Sequence, residues 1–369
     1  MTVAPTPYVA PKASHIVLPG QDPSGQYILS VLVKRTYDIV DGTACRRAGK
    51  DQKIHTADVP YGDPLNSSIK FESDFVPFKL ATDIVVNAKC YAPGGRAVTH
   101  LMASVRVGNV QKDVVVIGDR VCRYQAGQLP WFSDPQPFTE IQMVYERAYG
   151  GTDIYSDPKV PCSYIRNPMG TGFAVENKHK SIDGLSLPNL EDPTNLLRPD
   201  NFCCGHFMHW ERQPMPAGFG WWAKNWAPRC RLAGVLPADR ATERELRQAF
   251  AQVLPPDQKK QYLENELPSM NFRFFNGASP GLTLPFLKGV ETIECQNLTQ
   301  EGRLSFDLPG EQPILGLDIG EGIQQPEVVL QTVMVQLEER KVDLVWRGAV
   351  QYPGPDWLPQ MRKMEVQIA

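Results

Sequence analysis

The densest set of reactive side chains in the chain is Cys203-Cys204-Gly205-His206-Phe207-Met208-His209. Thiolates and imidazoles are zinc ligands, and His206 and His209 would share one face of a helical segment. Adjacent cysteines rarely both reach one tetrahedral ion, and no second Cys-x-x-Cys pair completes the set. Cys203, Cys204, His206 and His209 are therefore the candidate metal ligands. The competing reading is two buried thiols and two partly exposed imidazoles beside Trp210. No metal and no other cofactor is expected.

Glu146 and Arg147 sit in the run Tyr145-Glu146-Arg147-Ala148-Tyr149-Gly150-Gly151. As chemistry they would be an acid with an anion-binding partner. As structure they would be an ion pair that pins the Gly-Gly turn. Nothing nearby supplies a nucleophile or a second carboxylate at fixed spacing, so the structural reading is preferred. Gly170-Thr171-Gly172 keeps half of a dinucleotide fingerprint, but the third glycine is missing and Asn167-Pro168 ahead of it is a turn. A tight turn with positive φ accounts for it. Glu191-Asp192-Pro193 reads as an acidic turn in which Asp192 caps a helix start. The chain has no phosphate loop, no His-Glu-x-x-His, no Gly-x-Ser-x-Gly and no EF-hand loop. No catalytic residue is assigned, and a non-enzyme is expected.

Phe219, Trp221, Trp222 and Trp226 concentrate aromatic area in a short span. Buried, they would be core; exposed, they would anchor a partner. Tyr149, Phe173, Phe219, Trp221 and Trp222 are taken as the candidate partner-binding residues. Lys224, Arg229 and Arg231 are too few to make a platform for single-stranded nucleic acid.

These residues lie in a Gly- and Pro-rich centre, from Tyr124 to about Pro237, that breaks every regular element within a few residues. The flanks must supply the scaffold. Tyr27 to Asp38 is β-branched, aromatic and apolar enough for a buried strand. Asp83 to Tyr91, Val98 to Val107 and Val110 to Ile117 predict a three-strand meander, with Pro93-Gly94-Gly95 and Gly108-Asn109 as its turns. Thr242 and Glu245 have capping-box spacing ahead of Leu246, Ala249, Phe250, Val253 and Leu254, which predicts a helix ended by Pro255-Pro256. A shorter helix follows over about 257–266. Glu291 to Cys295, Arg303 to Leu308, Val328 to Leu337 and Val342 to Arg347 predict strands, with Met364 to Ile368 as a final edge strand.

The expected fold is α+β and predominantly β: antiparallel sheets, meander- or sandwich-like, with a long loop-rich centre and one or two helices near 241–266. One large domain over 1–369 is expected, with a division into 1–240 and 241–369 as the alternative. Hydrophobic residues make up 42% and charged residues 21%, which is a globular balance. The formal net charge of -3 gives no basic field for nucleic acid. No basic segment followed by an apolar run opens the chain, and no window reaches the length that spans a bilayer. A cytoplasmic protein with mostly reduced thiols is expected, without a membrane partner.

Taken in order, the central motifs resemble a bacterial family known as domain of unknown function 2169, whose members are associated with type VI secretion. The residues that carry the resemblance begin with Thr36-Tyr37-Asp38, Ser73 to Asp83 and Gly118-Asp119-Arg120. They continue through Tyr145 to Gly151, Asn167 to Phe173, Leu187 to Glu191 and Pro216 to Phe219, and end at Trp346-Arg347-Gly348. The Cys203–His209 run is not part of the pattern. The resemblance implies a non-enzymatic adaptor or chaperone. Its partner would be an effector with a proline-alanine-alanine-arginine (PAAR) repeat domain, and its task to help that effector dock on the valine-glycine-repeat spike. It implies no catalytic or ligand residue. Two alternatives stay open: an immunity-type protein that binds the toxin domain, and an enzyme, zinc-dependent or not, with its site in the central loops. The residues leave the oligomeric state undetermined.

Overall fold

The computed structural model describes residues 14–125, 128–157, 159–175, 182–203, 205, 207–234, 248, 252, 259, 270–319, 322–354 and 363–368. Both helices expected over 242–266 lie outside the described residues, apart from the isolated positions 248, 252 and 259. The described chain is predominantly β, and its helical turns are short 3-10 segments.

Two sheets carry the architecture. In chain order their strands are β1 (Ser14–Gln21), β2 (Tyr27–Asp38), β3 (Arg46–Arg47), β4 (Thr82–Asn87), β5 (His100–Val107), β6 (Val110–Ile117), β7 (Leu190–Glu191), β8 (Thr283–Leu284), β9 (Thr292–Gln296), β10 (Arg303–Asp307), β11 (Val328–Gln336) and β12 (Lys341–Gln351). The larger sheet runs β1-β2-β12-β11-β4-β8, with β3 also on β2, and the smaller runs β7-β6-β5-β9-β10. Pairing is antiparallel except between β4 and β11. Both sheets interleave strands from before residue 240 with strands from after residue 270, so neither half of the chain completes a sheet without the other.

Strand β2 shows why the sheet forms. Leu29, Val31, Val33 and Tyr37 point to one side and join the main apolar core, together with Ala103, Val105, Val114 and Ile293 of the smaller sheet. Period-2 alternation places these residues on one face of the pleat. The strand's other face carries Ser30, Lys34 and Thr36, which are also buried. The segment over 51–80 covers that polar face. Lys34 pairs with Asp74 at 2.8 Å, Lys79 with Asp83 at 2.7 Å, and the Thr36 hydroxyl donates to Asp343 at 2.5 Å. Burial pushes the Asp343 carboxyl up to about 6, although Thr36 and Gln336 both donate to it.

In β11 the core residues shift phase, from Val328 and Leu330 to Val333 and Val335. A register irregularity between Leu330 and Thr332 absorbs the extra residue and keeps both sets facing the core.

The meander expected from Asp83 to Ile117 does not form as one sheet. Val107 and Val110 close the β5–β6 hairpin as expected, with Gly108 at φ 56°. Thr82–Asn87 instead enters the larger sheet, and Lys89–Tyr91 pairs with Glu140–Gln142. The reason is two-sided burial. All six residues of β4 are buried, which suits an interior strand, whereas β5 alternates between buried and exposed positions. The edge strand expected near the C-terminus is Lys363–Ile368, antiparallel to Pro313–Asp318 in a separate three-stranded sheet. No helix among the described residues is long and apolar enough to cross a membrane.

Candidate functional site

The central motifs converge on a second, smaller apolar core, which includes Cys122, Tyr149, Tyr164, Phe173, Leu187 and Phe202. Tyr149 and Tyr164 meet edge-on at 5.2 Å, and Phe173 stacks on Tyr164 at 5.3 Å. Among the described residues here, regular sheet is nearly absent. Tyr149–Gly150 and Thr171–Gly172 make a parallel pair of only two residues each. Buried side chains take over the work of a ladder. The Asn167 amide donates to the Tyr145 and Tyr149 carbonyls at 2.8 and 3.2 Å. Asp153 accepts from the backbone N–H groups of Tyr155, Ser156 and Val175. A Cβ on Gly150 would strike the Asn167 carbonyl, and one on Gly170 the Ala148 carbonyl. These glycines are needed for backbone-to-backbone approach.

The five candidate partner-binding aromatics are part of the interior. Tyr149 (1% exposed) and Phe173 (3%) lie in the smaller core; Phe219 (0%), Trp221 (4%) and Trp222 (3%) lie in the main one. Tyr145 is their hinge pin. Its ring meets Trp222 and Trp226 edge-on, and its hydroxyl donates to Ser279 at 2.9 Å. Buried in the chain's own cores, these aromatics present almost no surface to a partner, and that corrects their expected role.

Glu146 and Arg147 also part company. The Glu146 carboxylate accepts from the Ser68 amide and hydroxyl at 2.7 and 2.6 Å. The Arg147 guanidinium donates to Asn189 at 2.9 Å and lies 3.7 Å from Asp119. Each ties the loop to a different neighbour, and the ion pair expected between them is replaced by these two contacts. Asp192 caps a turn through Thr194 rather than a helix. Of the candidate metal ligands, Cys204 and His206 lie outside the described residues. Cys203 bridges Ala174, and His209 is exposed on the 3-10 turn Phe207–Arg212. Among the described residues, no three His, Cys, Asp or Glu side chains gather in a way that could hold a metal ion.

Glu146 and Arg147 line an open cleft of about 650 Å³, together with Asp119, Arg120, Arg123 and Asn189. Its walls are fixed. Arg120 is paired with the buried Glu191 and lies 5.5 Å above the Phe132 ring. Burial pushes the Glu191 carboxyl above its ordinary range even with Arg120 beside it. Asn189 donates to the Ile117 carbonyl and to Asp119, both at 2.9 Å. Arg123 is exposed at the rim, and its strand partner Trp131 is 43% exposed. Leu129, next to that strand, is 85% exposed. Sequence reasoning passed over this rim. The signal was a Leu-Pro-Trp-Phe run inside a loop, too short to bury both of its large apolar ends.

The arrangement can bind through cations, amides and an exposed indole. No curated relative and no solved structure matches the chain. A family model described as an uncharacterized protein conserved in bacteria, DUF2169, matches residues 24–347, and the chain belongs to that family.

Proposed function

We propose that this protein is a cytoplasmic type VI secretion adaptor that holds a PAAR-repeat effector and helps load it onto the valine-glycine-repeat spike. The observation that supports the reading is the cleft with its rim. Arg123 and Trp131, the residue types that dominate interface hot spots, stand exposed beside lining groups already held by the protein's own hydrogen bonds. A pre-organised, open recess of that kind favours docking another chain, because little ordering entropy remains to be lost on binding. The choice of a PAAR-repeat effector as the partner rests on what the resemblance of the ordered motifs implies.

The test is co-purification with a PAAR-repeat effector from the same bacterium. The wild-type complex should form, and Trp131→Ala with Arg123→Glu should weaken it at least about tenfold, the size of one lost hot-spot anchor. A complex untouched by both changes rules out the cleft as the contact. A deletion strain that still delivers the effector overturns the adaptor reading.

A further inference from the structure

Four buried cations among the described residues each have an anion beside them. Lys34 has Asp74 at 2.8 Å, Lys79 has Asp83 at 2.7 Å, Arg229 has Glu72 at 2.6 Å, and Arg35 has Glu311 at 2.9 Å. Arg347 does not follow this pattern. It is 7% exposed, at the middle of β12, and its Nε is buried with no acceptor. Among the described residues no carboxylate reaches its guanidinium. Burial alone draws its pKa down to about 10. The guanidinium lies 4.2 Å from the centre of the Phe78 ring. Cation–π attraction recovers only part of the hydration that a guanidinium loses on burial.

Phe78, on the segment that covers this face, is partly exposed. Phe78 meets Phe272 edge-on at 5.6 Å, and Phe272 meets Phe275 at 5.6 Å. Phe75 and Leu80, on the same covering segment as Phe78, are 44% and 42% exposed. A planar five-donor fork set against the Phe78 ring, with no carboxylate of the described residues in reach, is suited to a carboxylate brought by another chain.

We propose that Arg347 and Phe78 form a carboxylate-binding site that takes an acidic side chain of a protein partner. For the partner's identity, the effector, this rests on the adaptor reading; for the site's chemistry it does not. The site uses Trp346-Arg347-Gly348, a motif that the loop cleft leaves unexplained.

The experiment compares thermal unfolding of the full chain in sodium acetate and in sodium chloride at equal ionic strength. At about 100 mM, acetate should raise the Tm of the wild type by about 2 °C, as expected for a ligand that binds only the folded state. Arg347→Met should lose that rise and should melt no lower than the wild type in chloride, because an unpaired buried charge is replaced by an apolar chain of similar length. Arg347→Lys keeps the charge without the planar fork and should show a smaller rise. A wild type indifferent to acetate overturns the site. So does an equal rise in phosphate, which would mark a general anion trap. A clear fall in Tm for Arg347→Met also overturns it, since the arginine would then be a structural partner of this chain. In the second arm, Arg347→Met should weaken effector binding at least about tenfold, the effect of losing one buried charge contact. Unchanged affinity overturns the assignment to a protein partner. Failure of the wild type to bind the effector counts against the adaptor reading, while the acetate arm still decides the site.

Discussion

The molecule solves the same problem in two ways. In the two-sheet region, backbone groups satisfy one another along β2, β11 and β12, and side chains are left to pack. In the loop-built centre, two-residue strands satisfy few of them, and Asn167, Asn189, Asp153 and Glu191 are buried to finish the task. On its core-facing side the first region depends on shape and volume. The second depends on single polar atoms and on glycines placed where backbones touch. That difference predicts opposite tolerances to mutation.

The largest expected effect is in the sheet core. Trp346 is 1% exposed and meets Tyr37 edge-on. Trp346→Ala should cost about 3–5 kcal/mol in urea unfolding, by lost burial and an unfilled cavity. Leu344, fully buried in the same core, should accept methionine for less than about 1.5 kcal/mol. If conservative swaps hurt the sheets as much as the loops, the contrast fails. Next comes Gly150→Ala, in which the new Cβ would strike the Asn167 carbonyl. It should cost about 3 kcal/mol, and hydrogen exchange should rise first in the loop-built core. Asn167→Ala leaves the Tyr145 and Tyr149 carbonyls without their donor and should cost about 2 kcal/mol, although it removes little apolar area.

Asp343 sharpens the comparison, because it is a polar-atom device placed inside the sheet region. Its folded-state pKa, about 6, lies above the ordinary carboxylate value. The folded state therefore holds the proton more tightly. The group's contribution is present at low pH and is lost as pH rises through 6. Asp343→Asn should flatten the stability profile between about pH 4 and pH 7 and should stabilise the protein at pH 8 by about 1–3 kcal/mol. Urea midpoints at pH 5 and pH 8 measure it; an unchanged slope would remove Asp343 from the account. The smallest stability effect should be at the cleft rim, where Trp131→Ala should change unfolding by less than about 0.5 kcal/mol while weakening partner binding.

Several parts of this architecture were legible without coordinates. Tyr27 to Asp38 reads as a buried strand because it is a β-branched, aromatic and apolar run, and composition is a local property. Gly108-Asn109 marks a hairpin because a two-residue turn needs a residue that accepts positive φ. The strands near 292–296, 303–307 and 341–351 carry the same local signal. Gly172 reads as a residue that needs positive φ, and its φ is 93°; that its backbone lies against Pro188 is not encoded locally.

Other features depend on which segments meet, and no local pattern encodes that. The choice of β4 for the larger sheet comes from its parallel partner β11, some 250 residues on. The burial of Trp221 and Trp222 depends on Tyr145 and on the closing of both sheets around them. Glu146 and Arg147 are neighbours in sequence, yet Ser68 and Asn189 are their partners in space. By itself the amino-acid order determined the strands, the turns and the lack of a familiar catalytic motif. Only the tertiary structure decided which aromatics are core, which charges are paired, and that Arg347 is buried beside Phe78 with no carboxylate of the described residues in reach. The physical reason is that periodicity acts through neighbouring residues, whereas desolvation and charge pairing act through whatever the fold brings within a few ångströms.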